Sequence, residues 1–202
     1  CGLSNLTSID IPSNVTSIGN SSFEGCTSLT SIDIPSNVTS IGNRSFAGCT
    51  SLTSIDIPNK VTSIGNSTFS GCSSLTSITI PNSVTKIGNF AFYECSSLTS
   101  ITIPNNVTSI GKETFYKCSS LTSVTIGSSV NYIATDAFNY CPELANIVVN
   151  SNNGVFNSKN KCNAIIFTSE NKLIKGGKNT IIPSDVRIIG EYTLLSLNHY
   201  QQ

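Results

Sequence analysis

The side chains in this 202-residue chain that could do chemistry are its cysteines, its histidine and a spaced set of aspartates. Cys26, Cys49, Cys72, Cys95, Cys118 and Cys141 stand 23 residues apart, while Cys1 and Cys162 fall outside that series. Such a column could form disulfides, bind a metal, or act as reduced thiols that fill space as small apolar groups. Metal is disfavoured because there is no C-x-x-C pair and the lone His199 sits in the C-terminal tail. If equivalent residues stack in adjacent coils, their Cα atoms lie about 4.8 Å apart, but parallel Cβ vectors keep the Cβ atoms equally far apart, beyond the usual disulfide limit. The column is therefore expected to be buried and reduced, and Cys1 and Cys162 to be the thiols more open to exposure or oxidation.

No catalytic set accompanies them. His199 has no neighbouring nucleophile and orienting group of the kind a general base needs. Asp10, Asp33 and Asp56 also recur at 23 residues and could line up to hold a cation, but their flanking columns offer only Ser and Thr, so a solvated strand face is the simpler reading. The glycines share the 23-residue step and serve a corner of the repeat, not a phosphate loop. The sequence predicts no enzyme, no cofactor and no metal site.

What must position these residues is the repeat itself. Phe23, Phe46, Phe69, Phe92, Phe115 and Phe138 keep the same step, as do Leu6, Leu29, Leu52, Leu75, Leu98, Leu121 and Leu144. Pro12, Pro35, Pro58, Pro81 and Pro104 follow, with Gly127 and Asn150 in the next two places. The unit reads L-x-x-I-x-I-P-x-x-V-x-x-I-G-x-x-x-F-x-x-C-x-x. In LTSIDIP, Ile32 and Ile34 alternate with Asp33, which predicts a short strand with an apolar inner side that the proline ends. Val38 and Ile41 then turn back to the core, and Phe46 and Cys49, three apart, suit one helical or 3₁₀ turn. No coil can bury its apolar residues alone, whereas stacked coils share one core. The expected fold is a right-handed solenoid with a parallel strand on one face and short strands or 3₁₀ turns on the others.

The unit resembles the BspA-like class of leucine-rich repeat, over residues 3–149 almost without gaps and again over 181–197. That resemblance implies a bacterial or protist cell-surface protein with adhesin-like relatives that bind host proteins or neighbouring cells. It also implies that the stretch C-N-A-I-I…L-I-x-G at 162–177 is a native irregular coil. Residues 1–149 are read as regular repeats, 150–180 as an irregular coil containing a β-hairpin, and 181–202 as a resumed partial repeat, ten residues out of register, with a tail. Because Cys1 falls inside a repeat, the chain is read as part of a longer array.

Charged residues make up 11% of the chain, with 11 acidic and 11 basic. So neutral a surface argues against nucleic acid and against docking on anionic lipid. No apolar run approaches the roughly 20 residues of a membrane-spanning helix. Seven N-x-[ST] sequons, at Asn5, Asn14, Asn20, Asn37, Asn43, Asn66 and Asn106, arise largely from the repeat and matter only in a eukaryotic secretory pathway.

Two surfaces are left for a partner. The strand face presents Asp33 and Asp56 among small polar residues and has no aromatic anchor. On the Phe–Cys side the later coils depart from the rest: Phe90, Tyr93, Tyr116, Tyr132 and Tyr140 appear only there. Tyr93 and Tyr116 each follow a core Phe and should point outward and stack, with Glu94 and Lys117 placed to pair. A secreted or cell-surface module that binds a protein ligand is expected, with Phe90, Tyr93, Tyr116 and Tyr140 as anchor and Asp33 and Asp56 as the weaker alternative. The rival expectation is a structural spacer within a longer surface protein, since the first three coils are nearly identical.

Overall fold

The computed structural model describes residues 3–159, 162–191 and Thr193. The architecture is a parallel β-solenoid of about six turns, essentially without helix. Cys1, Leu194, Leu197, His199 and the tail lie outside the described residues.

The most continuous sheet runs through the two residues, Ser-Ile in most coils, that precede the corner glycine or, in the last regular coil, Ala134. It stacks β1 (Ser17–Ile18), β2 (Ser40–Ile41), β3 (Ser63–Ile64), β4 (Lys86–Ile87), β6 (Ser109–Ile110) and β8 (Tyr132–Ile133) in parallel, always one coil apart. The sequence pattern instead placed the principal strand at LTSIDIP. There a ladder forms only in the later coils, from β5 (Ser100–Thr102) through β7 (Ser123–Ile126) to β9 (Asn146–Val149), with one isolated Asp56–Thr79 bridge before it. Proline accounts for part of the difference. It has no N–H, so in coils with Pro35, Pro58 and Pro81 the ladder cannot run past the apolar pair. Where Asn150 replaces it, its N–H donates to the Ile126 carbonyl at 2.9 Å, and the strands lengthen to four residues.

The third side is built from turns. Cys49 N–H donates to Phe46 O and Leu52 N–H to Cys49 O, both at 3.1 Å, the i to i+3 geometry the Phe–Cys spacing predicted. Alternate amides of the same segment donate forward to the next coil: Arg44 to Asn66 O at 2.9 Å, Phe46 to Thr68 O at 2.9 Å and Gly48 to Ser70 O at 2.7 Å. That geometry puts positive φ at two places in each of the first five coils, and Gly25, Gly48 and Gly71 supply one of them at 73°.

Inside, every column closes on itself. The phenylalanines stack with centroids 5.1–5.6 Å apart and planes within 14°. Ile32, Ile55 and Ile101 are buried, while Ile78 is only partly so. The Ser, Thr and Asn content has a matching role. The hydroxyls of Thr53, Thr76, Thr99 and Thr122 each donate to the carbonyl of the equivalent threonine one coil back, at 3.0–3.4 Å. The side-chain oxygens of Asn20, Asn43, Asn66 and Asn89 each accept the main-chain N–H of the residue 23 further on, at 2.8–2.9 Å. Polar side chains thus satisfy coil edges that would otherwise be unpaired.

Beyond β9 the chain makes an antiparallel sheet. β10 (Phe156–Asn157) pairs with β11 (Ala164–Phe167), which pairs with β12 (Lys172–Gly176) through a bulge at Ile165/Ile166. β13 (Ile188–Ile189) then joins β12 in parallel, restoring the coil direction. The hairpin buries Cys162 against Ala164, Ile166 and Leu173. This corrects the expectation that Cys162 is an exposed thiol: falling outside the column does not expose it, because the irregular coil has a small core of its own.

Candidate functional site on the tyrosine side

The cysteine column holds the turn side in place and is shielded from solvent. Cys26 through Cys141 are free and buried. From Cys49 on, each thiol donates to the carbonyl of a phenylalanine in the preceding coil, at 3.0–3.2 Å. A small donor with an apolar body fits here, where serine would lose apolar burial and alanine would remove one of the two donors to each carbonyl, the other being the backbone N–H three residues on. Burial pushes the Cys49 and Cys141 thiols up to about 12, and Cys72, Cys95 and Cys118 are also raised by burial. Two results should follow. Native protein should react slowly with a thiol reagent at these positions, with no acceleration between pH 7 and 10, whereas an ordinary thiol ionises near about 8.5. A raised folded pKa means that the native state holds protons the unfolded state gives up. Stability is therefore full below the unfolded value and should fall as pH climbs from about 9 toward 12. Fast labelling at pH 8, or stability that rises over that range, would contradict the burial of the column.

Outside this column the turn side carries three positions per coil that are exposed or half-exposed, except at Ala47 and Asn139, which are buried. Two residues before each core Phe stand Ser21, Arg44, Ser67, Phe90 and Glu113. One residue after it stand Glu24, Ala47, Ser70, Tyr93 and Tyr116, and two after it Gly25, Gly48, Gly71, Glu94, Lys117 and Tyr140. Tyr93 and Tyr116 are half-buried and stack with centroids 5.1 Å apart and planes 1° from parallel. Phe90 meets Tyr93 edge-on at 6.0 Å, and Tyr140 meets Tyr116 edge-on at 5.0 Å. Lys117 Nζ lies 3.0 Å from Glu94 Oε1 and 5.6 Å from the Tyr116 ring centre. That ion pair is about half exposed and screened by solvent, so it adds little to stability. Burial, then the charge of Glu94, holds the Tyr93 phenol above its ordinary value; burial, then Tyr140, does the same for Tyr116.

The structure therefore brings Phe90, Tyr93, Tyr116 and Tyr140 together in one aromatic row. It leaves Tyr132 out: that residue lies on β8, 58% exposed, with no aromatic partner among the described residues. Its column is set by the Ser-Ile sheet, not by the Phe–Cys turn. Asp33 and Asp56 are exposed on the Ile-x-Ile segment, and among the described residues no side-chain hydrogen bond or ion pair joins them to the aromatic row.

One signal in the sequence was missed. Gly25, Gly48 and Gly71 suit a positive-φ position, yet the next three coils place Glu94 (56°), Lys117 (56°) and Tyr140 (57°) there. Phe90, at 58°, is a bulky residue in the same left-handed region. Each costs about 1 kcal/mol relative to glycine. The later coils thus carry polar and aromatic side chains at positions where the backbone favours none.

Comparison with known proteins fits this geometry. No curated protein matches the chain. Among solved structures, it is similar to a leucine-rich repeat protein of T. pallidum, with 33% identity, TM-score 0.67, and 70% of this chain and 68% of that one covered. A leucine-rich cell surface protein of Faecalibacterium prausnitzii is 30% identical, with TM-score 0.63 and 85% of this chain covered. A leucine-rich repeat protein of Eubacterium ventriosum is 26% identical, with TM-score 0.73 and 85% of this chain covered. The chain spans about half the length of the last two, 54% and 46%. Six copies of the BspA type leucine rich repeat region match over residues 1–96, 40–173 and 72–199. With its stacked Phe and Cys columns and parallel coils, the chain belongs to the BspA-type leucine-rich repeat family.

Proposed function

We propose that this chain is a recognition module of a cell-surface or secreted protein, and that it binds a protein ligand through the row Phe90, Tyr93, Tyr116 and Tyr140. The observation that carries this reading is the change from glycine to Glu94, Lys117 and Tyr140 at a strained backbone position, next to aromatics present only in those coils. Strain is retained where surrounding structure and use outweigh it. Tyrosines also supply rigid contact area of the kind that dominates protein interfaces. The cell-surface name of the Faecalibacterium relative supports the location. A spacer is the second reading, favoured by the near identity of the first three coils.

Two double variants separate the surfaces: Tyr93→Ser with Tyr116→Ser, and Asp33→Ser with Asp56→Ser. Each is compared with the parent for capture of a protein that the immobilised parent retains from host extracellular matrix. The tyrosine pair should lose capture at a stability cost of about 0.5–1.5 kcal/mol, because the two rings are stacked. The aspartate pair should change neither. If only the aspartate pair weakens capture, the strand face is the site; if neither does, the spacer reading gains.

A further inference from the structure

The tyrosine stack ends abruptly, and the coil before it is bare. Tyr93 has Tyr116 against one face. One coil back, its column holds Ser70, and the two neighbouring columns hold Ser67 and Gly71. One coil further back stands Arg44, whose side chain is 56% exposed and tethered to Glu24, with its Nε 3.1 Å from Glu24 Oε1. The result is a depression of about 360 Å³ lined by Arg44, Ser67, Ser70, Phe90, Tyr93 and Glu113.

We propose that this notch receives one planar aromatic side chain of a protein partner, held between the Tyr93 ring and the Arg44 guanidinium. The proposal rests on the tyrosine side being the binding face and names what anchors there. The width carries it. Successive rows are about 4.8 Å apart, so Arg44 and Tyr93, in adjacent columns and two rows apart with Ser67 and Ser70 between them, are separated along the stack by roughly 9.5 Å of backbone rise. A ring placed over Ser70 sits one row from each. That is the spacing at which Tyr93 already stacks on Tyr116, 5.1 Å between centroids, so the guest ring continues an existing stack. On its other side it meets a guanidinium, the cation that best packs on aromatic faces. Glu24 holds that guanidinium in place beforehand, which reduces the ordering cost of binding. Ser67 and Ser70 offer hydroxyls at the floor for a phenol or indole donor.

The test is a titration of N-acetyltyrosinamide into ¹⁵N-labelled protein, with methyl β-D-glucoside as the rival probe. Saturable amide shifts are expected at Ser67, Ser70 and Gly71 with the aromatic probe and none with the sugar. Ser70→Tyr supplies the missing ring from within. It should fold as well as the parent, because Tyr93 and Tyr116 occupy the same column, and it should weaken probe binding at least tenfold. Arg44→Ala should weaken binding several-fold without filling the notch. Shifts with the sugar alone, or aromatic-probe shifts at the notch that survive both substitutions, overturn the proposal. Aromatic-probe shifts confined to Tyr116 and Tyr140 overturn the notch but keep the tyrosine side as the binding face. Absence of shifts anywhere on that side, with both probes, counts against the face itself.

Discussion

Replacing Phe69 by Ala should cost about 3–5 kcal/mol, read from chemical denaturation of the full chain. The ring is fully buried and stacks on Phe46 at 5.6 Å and Phe92 at 5.4 Å. Truncation removes its own burial and also a face of each neighbour. Repair is difficult because coil spacing is fixed by the hydrogen-bonded Ser-Ile sheet and by the turn side. The backbone of Phe69 donates to Ala91 O at 2.8 Å and accepts from Cys72 N at 3.1 Å, so the coils cannot close on the void. The Cys95 thiol also donates to the Phe69 carbonyl, and any shift of that carbonyl disturbs the cysteine column. A loss below about 1 kcal/mol would mean that the Phe column is not the core.

Gly88→Ala should be the second severe change, roughly 1–3 kcal/mol or more, while Gly19→Ala, in the same column, should lie within about 0.5 kcal/mol of the parent. The two positions have the same place in the repeat but different neighbours. A Cβ on Gly88 would meet Asn66 Oδ1 at 2.6 Å, Gly65 C at 2.7 Å and Asn66 N at 2.8 Å. Two of those atoms are backbone and cannot turn aside. They also belong to the ladder in which Asn66 accepts the Asn89 N–H at 2.9 Å. A Cβ on Gly19 would meet only Ser22 Oγ, at 3.3 Å, because no equivalent asparagine stands before it in the described stack. At Gly42, Gly65, Gly88 and Gly111, where an asparagine stands one coil back, glycine is thus required by close approach of consecutive coils and not by backbone angle. Equal losses at the two positions would refute this.

The sequence by itself determined the coil. Six columns at a 23-residue step name which residues share an interior row, and a stack is the arrangement in which all the rows can be buried. The same periodicity was enough to expect the free cysteine column, the Tyr93–Tyr116 stack and the Glu94–Lys117 pair, because each depends only on equivalent positions lying one coil apart. What the pattern left undecided is how each coil is divided into hydrogen-bonded segments. The Ile-x-Ile alternation marks which side chains face inward, but extended backbone and a paired strand share that alternation. Pairing is settled by donors such as Asn150 and by prolines that withhold them. The Asn20 to Asn89 ladder was written in the sequence as a column, yet its meaning needed the geometry of a side chain that reaches the next coil's amide. Residues 150–180 break the repeat; two apolar segments around a polar turn marked a hairpin there, but tertiary structure decided its packing. Cys162 and Lys175, 1% and 2% exposed, are buried by a hairpin whose packing no column predicts. The notch between Arg44 and Tyr93 has the same character. Each of its residues could be read from the chain, but the gap is defined by what two rows hold and the row between them lacks, and that exists only once the coils are stacked.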